Sequence, residues 1–302
     1  MFCIQQLRKS YKKQETTTVM LQTAEFVLTG PRHGRPFAAD ATWLPTGRPQ
    51  PVLVFVHGFK GFKDWGHFPR LARFFAERGF VFIKLNLSHN GLVVGGNGDL
   101  EDLEAFGQNN FSIELDDLGQ LLDALHVPDA TPLPAAALDL RRLYLVGHSR
   151  GGSLALLKAA EDPRVAAVAT WAAVADLGRY FPETVLADWQ RTGVLHVPNA
   201  RTGQQMPLYH QLVEDYNQHR ARLDLPARLP GLRQPLLLVH GDQDETVPLA
   251  ALHQLAAARP DAAVLVVPGA THMLGGAHPW AAAELPEHAR LVAERTAAFF
   301  VR

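Results

Sequence analysis

The chain has 302 residues, 47 % hydrophobic and 20 % charged, the balance of a globular protein large enough to bury a substantial core. Its 29 Lys and Arg stand against 30 Asp and Glu, and the net charge of −1 gives no electrostatic reason to expect nucleic acid or an anionic membrane as partner. One cysteine, Cys3, excludes an intrachain disulfide and a cysteine metal cluster.

Residues 1–20 are polar and lysine-rich and read as an extension without an apolar core of signal-peptide length. No run approaches the ~18 apolar residues needed to span a membrane, so a cytoplasmic location is expected. Leu21 to Leu28 and Phe37 to Leu44 read as a hairpin around the turn residues Pro31-Arg32-His33-Gly34-Arg35-Pro36. Pro51 to Val56 is a continuous β-branched and aromatic run, the pattern of a strand buried on both faces, and it ends in His57-Gly58-Phe59. A helix from Phe68 to Arg78 stops at Gly79, and Phe80 to Leu85 is another buried strand. The glycine- and asparagine-rich stretch from Ser88 to Asn110 reads as a long loop over the strand ends. Helical spacing of Leu115, Leu118, Leu121, Leu122 and Leu125 predicts a helix over Ser112 to Leu125.

Arg141 to Gly152 carries the first chemical signal. A strand-like run ends at Gly147-His148-Ser149-Arg150-Gly151, and Ser153 to Ala160 continues as a helix. Strand, sharp turn and helix with G-x-S-x-G at the turn is the context of a nucleophile elbow, in which a strained serine stands clear of a sheet. The competing reading is a glycine-rich strand-to-helix turn that contains a serine. The Arg150 N–H, at the start of the helix, would face an oxyanion formed on that serine's substrate.

Further strands follow at Val165 to Trp171, Leu236 to His240 and Ala263 to Val267, with helices at Pro248 to Ala258 and Leu285 to Val301. Alternating strands and helices with non-alternating apolar strands predict an α/β fold with a mostly parallel sheet covered on both faces. Residues 21–171 and 236–302 then form the core. Residues 172–235 break the alternation and are read as a cap, with an extended piece near Val194 to Val197 and a helix over Leu208 to Arg220.

A nucleophilic serine needs a base, and the base needs a carboxylate to orient it. His272, just after the last strand, would emerge on the same sheet edge as Ser149, against the plainer reading of a structural loop histidine. After the penultimate strand, Asp244 has room to turn back to that histidine. Asp242 reads as a turn former, Glu245 as solvent-facing, and Asp176 as an outside candidate. A second oxyanion donor is expected from the loop leaving the first parallel strand, which makes it the Phe59 N–H, although the same turn could be a simple strand exit. His57 reads as a brace for that loop and His148 as a packing residue beside the elbow. In the cap, Tyr180, Phe181, Trp189, Met206 and Tyr209 are candidates to line a substrate pocket, or to form the cap's own small core.

With these residues in hand, the chain resembles the α/β-hydrolases over about residues 21–302, in the order Ser149, Asp244, His272 and in the His57-Gly58-Phe59 loop. The loop, the mid-chain cap and the lack of a secretion signal resemble small-molecule carboxylesterases of the feruloyl/cinnamoyl-esterase and dienelactone-hydrolase-like group, with serine where dienelactone hydrolases use cysteine. The resemblance implies an α/β-hydrolase fold and a serine hydrolase that cleaves a small-molecule ester with a Ser-Asp-His triad, without metal or organic cofactor. Cleavage of an amide, thioester or peptide by the same triad, and a non-catalytic binding protein of the same fold, are the alternatives.

Overall fold

The computed structural model describes residues 20–96 and 98–301; the expected extension, apart from Met20, and Cys3 lie outside these. Ten strands run β1 (Gln22–Thr29), β2 (Pro36–Trp43), β3 (Gln50–Val56), β4 (Val81–Leu85), β5 (Leu138–His148), β6 (Val165–Trp171), β7 (Val194–Pro198), β8 (Gln205–Tyr209), β9 (Leu236–Gly241) and β10 (Ala263–Val267). The α-helices are α1 (Phe68–Ala76), α2 (Leu103–Gly107), α3 (Phe111–His126), α4 (Arg150–Glu161), α5 (Glu183–Thr192), α6 (Gln211–Gln218), α7 (Arg220–Leu223), α8 (Leu225–Arg228), α9 (Ala250–Ala258) and α10 (Glu287–Phe300).

Eight strands form one sheet in the order β1-β2-β4-β3-β5-β6-β9-β10. β1 and β2 pair antiparallel and extend an otherwise parallel sheet, as the hairpin reading anticipates. The two-residue period of a strand divides the apolar side chains between two cores. Val52, Val54 and Val56 of β3 enter one, with Ile83, Leu145 and Leu238 from neighbouring strands. Leu53 and Phe55 enter the other, with Phe82, Val146 and Val239. Helices α3 and α4 cover the first face through Leu115, Leu118, Leu122, Leu154 and Leu157. Helices α1 and α10 cover the second through Leu71, Phe75, Val292 and Ala293. Phe55 sits at the centre of that second face, its ring 4.7 Å from Phe68, 6.0 Å from Phe82 and 5.7 Å from Trp171.

Residues 172–235 are inserted between β6 and β9, which are hydrogen-bonded neighbours in the sheet. The first part holds α5 and a separate two-stranded sheet of β7 and β8. Gly193, at φ 76°, ends α5 in the left-handed conformation that glycine adopts without strain. The second part, α6 to α8, lies on α3 and α4 and buries Leu212, Leu223, Leu225 and Leu229 in the first-face core. Leu208 and Tyr209 end a strand rather than start the expected helix, because residues 205–209 pair antiparallel with β7 and the helix begins only at Gln211. Within the expected loop from Ser88 to Asn110, the short α2 is capped by the Asp102 side chain, which accepts the Ala105 N–H.

Candidate active site

Backbone pairing brings the carboxyl ends of the parallel strands level. Val56 pairs with Gly147, His148 with Trp171, and Gly241 with Val267. Past the last rungs, the Ser149 N–H donates to the Trp171 carbonyl at 2.8 Å and the Ala172 N–H to the Val239 carbonyl at 2.8 Å. The loops bearing Gly58, Ser149, Asp244 and His272 therefore leave the sheet along one edge.

Ser149 stands between β5 and α4 at φ 57°, ψ −124°, a conformation that costs a non-glycine residue about 1–3 kcal/mol. The turn is possible because its neighbours lack side chains. A Cβ on Gly147 would lie 2.1 Å from the Gly151 carbonyl oxygen, and one on Gly151 would lie 2.3 Å from the Val56 carbonyl oxygen. The loop after β3 presses against the same serine, since a Cβ on Gly58 would come 2.9 Å from Ser149 Cβ. Phe59 follows Gly58 and Arg150 follows Ser149, and the N–H of neither donates to a protein acceptor among the described residues.

Asp244 lies buried after β9, and hydrogen bonds meet both of its carboxylate oxygens. Oδ1 accepts the N–H groups of Thr246 and Val247 at 2.9 and 2.8 Å. Oδ2 accepts His272 Nδ1–H at 2.8 Å and has His240 Nε2 at 3.3 Å. Burial works against ionisation, but the bonds from His240, His272 and the Val247 N–H outweigh it and hold the carboxyl well below the usual carboxylate range. An ionised carboxylate only accepts, so His272 donates from Nδ1 and keeps the Nε2 lone pair as its basic site.

The neighbouring histidines form a frame. His148 Nε2–H donates to the His272 carbonyl at 2.9 Å, and the two rings lie 4.7 Å apart. Burial, followed by the nearby His272, pushes His148 down to about 3. His57 is pushed down to about 4, chiefly by burial. Its Nδ1–H meets the Gly58 carbonyl at 2.9 Å, and its Nε2 accepts the Leu87 N–H at 3.3 Å. Both histidines are thus neutral braces. Asp242 accepts the Gly269 N–H at 2.7 Å and so ties the acid turn to the loop leading to His272, while Glu245 is exposed. Asp176 accepts the Gly178 N–H at 2.8 Å and makes no hydrogen bond to His272 among the described residues.

Ser149 and His272 share a cavity of about 430 Å³ with Gly58, Phe59, Phe68, Val174, Val247 and Met273. Of the five cap side chains expected there, Tyr180 lines it and four do not. Phe181 packs on Tyr216 and Phe111. Trp189 is buried, its indole N–H on the Leu208 carbonyl at 2.8 Å, and Met206 is fully buried on β8. Tyr209 turns outward to Glu104. Phe181, Trp189 and Met206 thus pack in the interior, and Tyr209 lies on the outer flank of the insertion.

Two features have no counterpart in the sequence reading. One is His240, a second histidine on Asp244; its place at the end of a buried apolar strand, just before Gly241, was the available signal. The other is the Arg150 side chain, which is buried with its guanidinium 4.1 Å from the Phe59 ring centre and 4.2 Å from that of Tyr180. It pairs with buried Glu114 at 3.2 Å. Burial raises the Glu114 carboxyl, with Arg150 opposing it. Among the described residues, no group of three or more His, Cys, Asp or Glu side chains is arranged to hold a metal ion, and no helix is long and apolar enough to cross a membrane.

The family model for the alpha/beta hydrolase family matches residues 53–284, and the chain belongs to that family. Among solved structures it is similar to Est1E from Butyrivibrio proteoclasticus (19 % identity, TM-score 0.62, 91 % of this chain and 97 % of that one). It is also similar to the esterase domain of a Rhodothermus marinus protein (22 %, 0.61, 92 % and 97 %). A putative dienelactone hydrolase from Klebsiella pneumoniae shares the fold at 17 % identity (0.56, 93 % and 99 %). A comparison with curated proteins returned no match.

Proposed function

We propose that the protein is a serine hydrolase that cleaves a small-molecule carboxylic ester through an acyl-enzyme on Ser149. The observation that carries this reading is the His272–Asp244 bond of 2.8 Å in the same cavity as a serine at φ 57° on a strand-to-helix turn. Ionised Asp244 fixes the His272 tautomer and stabilises the imidazolium that forms. His272 Nε2 takes the Ser149 hydroxyl proton while Oγ attacks the ester carbonyl carbon. The N–H groups of Phe59 and Arg150 receive the oxyanion, each such donor contributing ~10²–10³-fold in turnover. His272 returns the proton to the leaving alcohol, and a water deprotonated by His272 then releases the acid and restores the serine.

Family membership supports a hydrolase. Est1E has been solved with ferulic acid bound, which makes hydroxycinnamate esters the first substrates to try. Residues 172–210 act in this reading as the cap that shapes the substrate pocket. The test is labelling by a fluorophosphonate together with turnover of 4-nitrophenyl esters. Ser149→Ala is expected to lose the label and at least about 10⁴-fold in kcat. Unchanged turnover in that variant overturns the reading. Matched anilides and thioesters, hydrolysed faster than the esters, would move it to an amidase or thioesterase.

A further inference from the structure

The cavity changes character along its depth. Its buried end is Ser149 with Phe68, Val174 and Val247. Toward the exposed end come three cations: Lys60, half-buried, and Arg179 and Arg201, both exposed. Among the described residues, no Asp or Glu side chain lines any part of it.

Only one of the three cations is matched. Arg201 Nη2 lies 2.6 Å from Asp99 Oδ1. Lys60 and Arg179 make no ion pair among the described residues. Lys60 Nζ–H donates to the Pro198 carbonyl at 2.6 Å, and Arg179 Nη2–H to the Thr246 carbonyl at 3.0 Å. An ammonium has three donors and a guanidinium five, so most remain available to a ligand. Asp176 caps the Gly178 N–H, both oxygens of Asp244 are bonded within its own turn and to the histidines, and Glu245 beside Thr246 is exposed without an ion pair among the described residues.

Lys60 also carries backbone strain. It sits at φ 60°, a left-handed conformation that glycine or asparagine adopts more easily. Burial, with Arg150 adding to it, lowers the Lys60 ammonium below its usual range, and no carboxylate offsets this. A half-buried cation without a counter-charge is unfavourable, and an anionic ligand relieves that condition.

We propose that the substrate is an anionic ester, its ester carbonyl at Ser149 and its carboxylate at the mouth, where Lys60 from the body and Arg179 from the insertion receive it. The proposal rests on the reading of Ser149 as the nucleophile of an ester hydrolase. It narrows the substrate to esters that retain one free acid group.

Two rigid, shape-matched pairs that differ in charge test it on the full chain. Monomethyl terephthalate against methyl 4-methylbenzoate puts the carboxylate on the acyl side, and 4-acetoxybenzoate against 4-methylphenyl acetate puts it on the alcohol side. In at least one pair, kcat/KM for the anion is expected to exceed that for its neutral partner by about tenfold, with the preference shrinking between about 0.02 and 0.5 M NaCl. Arg179→Gln and Lys60→Asn should each lower the anion-to-neutral ratio about fivefold, and Arg179→Lys should restore most of it. Asparagine is chosen at position 60 because it tolerates the left-handed backbone. Both esters are measured on one preparation, so a poorly folded variant lowers both rates and leaves the ratio unchanged. Hydrolysis of the neutral esters with ratios near one in both pairs, or ratios unmoved by both variants, overturns the anionic substrate alone. Absence of hydrolysis of all four esters together with absence of fluorophosphonate labelling overturns the hydrolase reading and this proposal with it.

Discussion

At the edge of the sheet, reactive side chains are positioned by backbone pairing. Ser149 is held by its N–H on the Trp171 carbonyl, and Asp244 by two N–H groups of its own turn. In the first part of the insertion, positions follow from what packs on what. Trp189 turns inward against β8, Phe181 lies on Tyr216, and Tyr180 alone of the expected five reaches the cavity. The candidate reacting groups thus directly follow strands whose register is fixed by many parallel hydrogen bonds. The insertion's share of the cavity wall comes from the segments flanking its helix and small sheet, through Val174, Arg179, Tyr180, Asn199 and Arg201.

This contrast separates by substitution, with effects on rate at the edge and on stability in the insertion. The largest expected effect is on rate. Asp244→Asn leaves the shape of the turn and removes the charge that selects the His272 tautomer, so kcat should fall about 10⁴-fold while the thermal midpoint moves little. A comparable rate in the variant would remove Asp244 from the chemistry. Next comes Trp189→Ala, a cavity in the insertion that should cost about 3–5 kcal/mol in denaturant unfolding. Loss of turnover without loss of stability would break the comparison by showing Trp189 to act on substrate after all.

The smallest effect sharpens it at the edge. His57 and His148 stay neutral when folded, at about 4 and about 3 against 6.5 for an ordinary histidine. Above pH 6.5 folded and unfolded chains hold the same protons at these sites. Below it the unfolded chain takes up protons that the folded chain refuses, so stability falls as pH drops toward 4 for His57 and toward 3 for His148. The slope is at most about 1.4 kcal/mol per pH unit for each. Urea midpoints between pH 7 and pH 5 measure it, and His148→Gln should flatten the curve.

The division also explains what could be read from the chain. Strand β6 runs over Val165–Trp171 as its apolar run predicts, because burial on both faces leaves a local signature. Strand β10 (Ala263–Val267) carries the same β-branched run although it is a largely exposed edge strand. The elbow was legible for a similar reason: the close approaches at Gly147 and Gly151 demand glycine, and glycine can be seen in a sequence. Strand β8 was not legible. Pro207 interrupts it, and its pairing with β7 is decided by a partner strand rather than by local period. Large apolar residues such as Trp189 and Met206 look alike whether they line a pocket or fill a core. Lys60 and Arg179 carry no signal in the sequence, since charged residues normally belong to solvent, and only the cavity around them gives them a second meaning.

The bond from His148 to the His272 carbonyl has a consequence for the working range of the site. It ties the residue preceding the serine to the main chain of the loop that carries the base, through a ring that takes up no proton until pH about 3. The scaffold between the two reacting groups is therefore indifferent to acidity across the span in which an ordinary histidine changes charge. Under the proposed mechanism, protonation of His148 then does not disturb the tie between the serine turn and the His272 loop until the pH nears about 3.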